Sequence, residues 1–340
     1  MKKKRKCLAV MFVLMTALTA MAHQGCQQQK SSPASLSSPS GGMSQSADLS
    51  PQGESMGASF HITYTRADSL KVESLLNAAS KLDSTANLMT YFARKLKGIP
   101  YVAHTLEVNK NEQLVVNLRQ LDCTTYVETV CALTLCTLQR QTTFADYCQW
   151  LCRLRYRGGE LIDYTSRLHY FTDWIEDNTQ LGLVSETQMA EPPFNAVQKV
   201  KVGYMTAHPQ HYAMLKDNAE FQKVIAEQEK ALNGRQYRYI PKADISNTPA
   251  MRKAVQDGDI IAIITSKPGL DTSHIGIAVW HKDGLHLLNA SQIRKKTVEE
   301  PMTLREYMSK HPSQTGIRVV KLRTSPESMK DWQTPRVGGM

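Results

Sequence analysis

The run from Asp122 to Leu138 constrains the fold more than any other part of this chain. Val127, Val130, Leu133, Leu135 and Leu138 follow one another there, with Tyr126, Cys131, Ala132 and Cys136 between them. A helix that is apolar on every side must be buried, so the remaining chain has to supply cover all round it. Asp122 suits the N-cap, because its side chain can accept a bond from an orphan backbone N–H. Cys123 then falls in the first turn, at the positive end of the helix dipole. That end favours thiolate, the nucleophilic form of the side chain. The plainer reading makes Cys123 one more small apolar residue of a core helix.

The cover comes from about 280 residues that begin near Ala58, enough for one large domain over 58–340. Residues 1–22 read as a secretion leader: Lys2, Lys3, Lys4, Arg5 and Lys6, an apolar run to Leu18, then Ala20–Met21–Ala22. Residues 23–57, rich in Ser, Gln, Gly and Pro, read as a flexible linker. Cys26 opens a second reading, in which residues 1–25 are removed and lipid is attached to Cys26. Both readings export the protein to the periplasm or cell envelope, and the second anchors it to a membrane.

The formal net charge is +10. Losing the five basic leader residues leaves about +5, which suits an anionic envelope and does not call for nucleic acid. Cys123, Cys131 and Cys136 share one expected helix, and Cys148 and Cys152 the next, which is poor spacing for a disulfide framework. Cys148 and Cys152 could ligate a metal at i and i+4. Without a Cys-x-x-Cys or a nearby His pair they read as core residues.

Helical spacing over 67–98 predicts one or two helices, and further helices are expected over 143–156, 171–177 and 205–231. After Asp257–Gly258 the period changes to that of strands: 259–265, 273–280, 285–291 and 317–322. Asp283–Gly284 between two apolar runs is a hairpin signal. Helices first and an antiparallel meander afterwards make this an α+β chain.

A nucleophilic thiol needs a base, and the base needs a group that orients it. His274, at the start of a strand beside a polar turn, is the candidate base, and Asn289 lies on the partner strand. His104, His169, His208, His211, His281, His286 and His311 compete with it. A two-residue turn at Asp283–Gly284 pairs Asn289 with Ala278. That puts it on the face of His274 but four residues away, and a shift of the pairing by two brings the groups together. The loop 163–170 combines aromatic, imidazole, guanidinium and hydroxyl groups. It reads equally as a surface loop or as the lining of a polar pocket.

Taken together, Leu121–Asp122–Cys123–Thr124–Thr125–Tyr126–Val127–Glu128 and Ser273–His274–Ile275–Gly276–Ile277–Ala278 resemble the NlpC-type, papain-like cysteine hydrolases of peptidoglycan. The closest likeness is to their N-acetylmuramoyl-L-alanine amidase-like branch. Gly98–Ile99–Pro100–Tyr101, residues 112–118 and Tyr164–Thr165–Ser166–Arg167–Leu168–His169–Tyr170 share in the resemblance, which covers roughly residues 65–325.

The resemblance implies a papain-like core with extra helices, its nucleophile at a helix N-terminus packed on an antiparallel sheet. It implies Cys123, His274 and Asn289 as the catalytic set. The third position is often His in such proteins, and here Leu288–Asn289–Ala290–Ser291 departs from that type. It also implies Tyr101, Tyr164, Arg167, His169, Tyr170 and Ser273 as oxyanion or substrate contacts, muropeptides as substrate, and neither cofactor nor metal. Cleavage of the stem peptide between D-Glu and the diamino acid, acyl transfer, and a non-catalytic wall-binding lipoprotein are the rival readings.

Overall fold

A computed structural model describes residues 46–47 and 61–323, all within the second of two units, residues 44–340. The stretches expected as leader and linker, with Cys26 between them and Ser46–Ala47 apart, lie outside the described residues. In chain order the elements are β1 (Ser46–Ala47), β2 (Ile62–Thr63), α1 (Arg66–Ala79), α2 (Leu88–Lys95), β3 (Leu114–Val115), α3 (Cys123–Leu138) and α4 (Phe144–Arg155). Then come α5 (Phe171–Gln180), β4 (Val184–Glu186), β5 (Ala196–Lys199), α6 (Tyr204–Ala207), α7 (Ala219–Leu232), β6 (Gln236–Pro241) and α8 (Pro249–Ala254). The chain closes with β7 (Ile260–Thr265), β8 (Thr272–Trp280), β9 (Leu285–Ser291), β10 (Lys296–Glu299), α9 (Leu304–Ser309) and β11 (Gln314–Leu322).

Helix α3 starts where its cap chemistry says it should. Asp122 Oδ1 accepts from the Thr125 N–H at 2.8 Å, and the Thr125 hydroxyl accepts from the Asp122 N–H at 2.9 Å. Every residue from Thr125 to Cys136 is buried. The cover is α1, α2 and α4 on one side and strands β8 and β9 on the other. Cys131, Cys136, Cys148 and Cys152 are free thiols in this core.

The main sheet is antiparallel and runs β10–β9–β8–β7–β11–β6–β5, with β4 also on β11. The expected meander holds from β7 to β9, and β10, which was not expected, continues it. The last strand then returns to β7, between it and β6, and so closes the sheet across its middle. Both faces are covered. Ile260, Ala262, Ile275, Ile277, Val279, Leu288 and Ala290 face the α3 side. Ile261, Ile263, Ala278, Leu287, Ile317 and Val319 meet α8 and α9 on the other. Burial on both faces explains why β7 reads as a continuous apolar run with no alternation.

A third cluster gathers Tyr164, Tyr170, Val202, Met205, Leu215 and Ile225. The helix expected over 205–231 is broken there. Pro209 opens a single 3₁₀ turn after α6, and α7 starts only at Ala219, capped by Asn218. Among the described residues no helix is long and apolar enough to cross a membrane.

Candidate active site

Cys123 is the first residue of α3 and is partly buried. Beside it runs the segment carrying Tyr101, pinned by Leu121 N–H to Pro100 O at 3.0 Å and Tyr101 N–H to Lys295 O at 2.9 Å. From the sheet, the Ile275 backbone N–H reaches the Cys123 thiol. Ile275 follows His274, so the strand that presents the imidazole also reaches the thiol.

His274 Nε2 lies 3.1 Å from Asn289 Oδ1. The amide oxygen only accepts, so Nε2 carries the hydrogen and Nδ1 is the accepting nitrogen of the neutral ring. Asn289 is fully buried, and its Nδ2 donates to Leu287 O at 3.3 Å, which fixes the amide orientation.

The register that makes this pair differs from the one expected. Ile277 pairs with Leu288 and Trp280 with Leu285. The His281 N–H bonds Gly284 O at 2.9 Å, so Lys282–Asp283 form the tight turn, one residue earlier than Asp283–Gly284. Moving a turn by one residue moves the pairing by two, and Asn289 therefore comes opposite Gly276. Gly276 is required there, because a Cβ would meet Leu287 Cγ at 2.7 Å and Leu288 O at 2.8 Å. On its other side β8 carries a bulge: Ile263 pairs with His274 and Ile264 with Thr272, which leaves Ser273 as the extra, exposed residue.

Electrostatics keep both partners neutral. Burial, and then the Asp122 carboxylate, push the Cys123 thiol up to about 12, against the Ile275 amide and Thr124 hydroxyl. The capping residue that starts the helix thus opposes the thiolate that the dipole alone would favour. Burial also holds the His274 imidazole below its usual range, with the Asn289 bond opposing. Burial, with Cys123 and Asp122 nearby, raises the Tyr101 phenol, which stays a donor. The thiol and the imidazole are not hydrogen-bonded to each other, and bonds of this kind commonly tighten only around substrate.

Two further groups join the site. The Tyr307 ring centroid lies 6.2 Å from that of His274, and His311 packs edge-on to Tyr307 at 4.7 Å. Tyr307 was not singled out from the sequence. It lies on a six-residue helix whose place beside His274 depends on the whole sheet, and no local pattern signals it.

The loop 163–170 is tied inward. Arg167 is 5% exposed, its guanidinium pairs with Glu107 and lies 3.6 Å from Glu112, and it packs over the Tyr164 ring. His169 Nε2 sits 2.9 Å from Tyr164 O, and burial with the Arg167 charge brings its imidazole down to about 3. The Tyr170 hydroxyl donates to Glu229 at 2.6 Å. The structure therefore gathers Tyr101, Cys123, His274 and Asn289 at one place. It puts Tyr164 and Tyr170 in the third cluster, while Arg167 is committed to two carboxylates.

A family model described as N-acetylmuramoyl-L-alanine amidase-like matches residues 91–317. An N-acetylmuramoyl-L-alanine amidase from Bacteroides uniformis ATCC 8492 is 35% identical, with a TM-score of 0.65 over 72% of this chain and 99% of that one. A Bacteroides fragilis protein provisionally named a xylanase is 40% identical, with a TM-score of 0.64 over 68% of this chain and 99% of that one. A protein from Legionella pneumophila str. Philadelphia 1, 22% identical, shares the fold with a TM-score of 0.56 over 74% of this chain and 94% of its own. No curated protein matches the chain.

Proposed function

This chain belongs to the N-acetylmuramoyl-L-alanine amidase-like family, and we propose that it is a cysteine amidase acting on muropeptides through a papain-like, NlpC-type site. The bond cut is the amide between the lactyl group of N-acetylmuramic acid and L-Ala. The observation that carries the reading is the His274 Nε2–Asn289 Oδ1 pair beside a thiol at the N-terminus of α3. A binding module has no use for an oriented imidazole next to a helix-start thiol. A glycosidase would work with a pair of carboxylates. Near His274 the carboxylates are Asp122, which caps α3, and Glu300, which holds Arg294 at 2.6 Å.

The chemistry follows from the proton positions. His274 Nδ1 takes the thiol proton as Cys123 Sγ attacks the carbonyl carbon. The imidazolium that forms is held by Asn289 through Nε2–H. The Cys123 N–H at the helix start and the Tyr101 hydroxyl stabilise the oxyanion. His274 then protonates the leaving amine, the thioester remains, and water activated by the same ring releases the acid. A leader read over residues 1–22, with or without lipid on Cys26, supports a site of action in the periplasm or cell envelope.

The test is mass spectrometry of purified muropeptides incubated with the full chain and with Cys123→Ala. Release of the intact stem peptide, slowed at least about 10³-fold in the variant, is the expected result. A cut within the stem would move the enzyme to the endopeptidase class. Equal rates for both proteins would remove Cys123 as nucleophile.

A further inference from the structure

The β8–β9 hairpin ends in a cluster for which the hydrolytic site has no use. His281, Asp283 and His286 each offer a donor atom, and the three atoms lie within 4.8 Å of one another. His286 is 2% exposed. Its Nδ1 lies 2.8 Å from the Glu300 carbonyl oxygen, which only accepts, so Nδ1 carries a hydrogen. In the neutral ring Nε2 then holds a lone pair, yet Asp283 Oδ1 stands 3.0 Å from it. Two electron-rich atoms aimed at each other need a positive charge between them, and a second ring proton or a metal ion can supply it.

His281 brings a second imidazole to the cluster. Its ring stacks on that of His286 with centroids 4.1 Å apart and 21° between the planes, so it turns out of the stack when both rings point a nitrogen at one ion, and its Nε2 lies 2.9 Å from Glu299 Oε1. Each imidazole thus has an oxygen behind one nitrogen, the arrangement that orients metal-ligating histidines. Glu299 is itself fixed by Arg94 at 2.9 Å and Lys97 at 3.4 Å, so it serves as an outer partner.

We propose that His281, Asp283 and His286 bind a zinc-class dication. Two imidazoles and one carboxylate suit borderline metals, whereas calcium and magnesium want oxygen throughout. Ligand atoms on a tetrahedral zinc lie about 3.3 Å apart, so the His286 Nε2–Asp283 Oδ1 pair at 3.0 Å is already near that spacing and His281 closes in by up to about 1.5 Å, with water at the fourth position. His281 borders the exposed turn and Asp283 lies in it, and both are placed to make that movement. The site is separate from the nucleophile: His281 is seven residues along the strand from His274, about 23 Å. Its effect is to clamp the turn that sets the pairing of β8 with β9, and so the position of Asn289.

The test uses the full chain carrying Cys123→Ala, which keeps ions off that thiol. Zinc is titrated by calorimetry and cobalt by visible absorption, with and without His281→Gln or Asp283→Asn. One ion per chain is expected, with affinity about 10–100-fold lower in either variant. A zinc-dependent rise in Tm should vanish in the variants. No zinc uptake at roughly 100 μM, or uptake unchanged by both substitutions, overturns the site and leaves the second proton as the bridging charge.

Discussion

In the proposed reaction Cys123 and His274 start as a neutral thiol and a neutral imidazole. Desolvation raises the first and lowers the second, and Asp122 adds to the first effect. This arrangement differs from a preformed thiolate–imidazolium pair in a way that pH can read. Because His274 titrates below its usual range, kcat/KM should rise with pH on an acid limb lying below about 6.5, the free imidazole value. Because the thiol titrates near 12, alkylation of Cys123 by iodoacetamide should keep climbing well above neutral pH. A plateau in alkylation below about pH 7 would mean that the ion pair forms without substrate. At this scale the sequence was informative: a capping Asp, a first-turn Cys and a strand-end His are local signals. The fate of Arg167 was not legible, since its partners Glu107 and Glu112 lie some sixty residues away in the chain.

Among the elements, α3 was readable because its cap and its all-round apolarity are both local. The β8–β9 hairpin was readable only in outline. Asp-Gly signalled a turn, but the turn settled one residue earlier, and only that choice brings His274 and Asn289 within 3.1 Å. Gly276 guards the choice, because the Leu287 side chain and the Leu288 carbonyl occupy the space of any Cβ. Gly276→Ala should therefore cost about 1–3 kcal/mol in denaturant unfolding. It should also lower kcat more than a remote substitution of equal cost does. Unchanged stability and activity would show that the strands part without consequence at that point.

Across the whole molecule, the helical layer is joined from inside by an ion pair. Arg155 of α4 meets Glu128 of α3 at 2.8 Å and also donates to Val115 O at 2.7 Å, with both side chains 3% exposed. Glu128→Ala leaves the guanidinium buried without its partner and should cost about 3–5 kcal/mol, seen as a Tm lower by roughly 10 °C. A loss below about 1 kcal/mol would mean that water reaches Arg155. The α+β layout was legible from the order of periodicities. The return of β11 to the middle of the sheet, the third cluster and the place of Tyr307 were not, because each depends on contacts distant in sequence.

The hairpin register also sets a rule for insertions and deletions at residues 281–284. One residue added on the β9 side of the turn, with β8 kept in place, would rotate Asn289 to the α3 side of the sheet, into the place Ala290 now holds, while Leu288 and Ala290 turn to the other face. Two residues added would restore its side but slide it about 7 Å along the strand, beyond reach of the imidazole. Length variants of this loop should therefore fold more often than they work, and odd and even changes should fail for different reasons. A compensating deletion in β9 could rescue either.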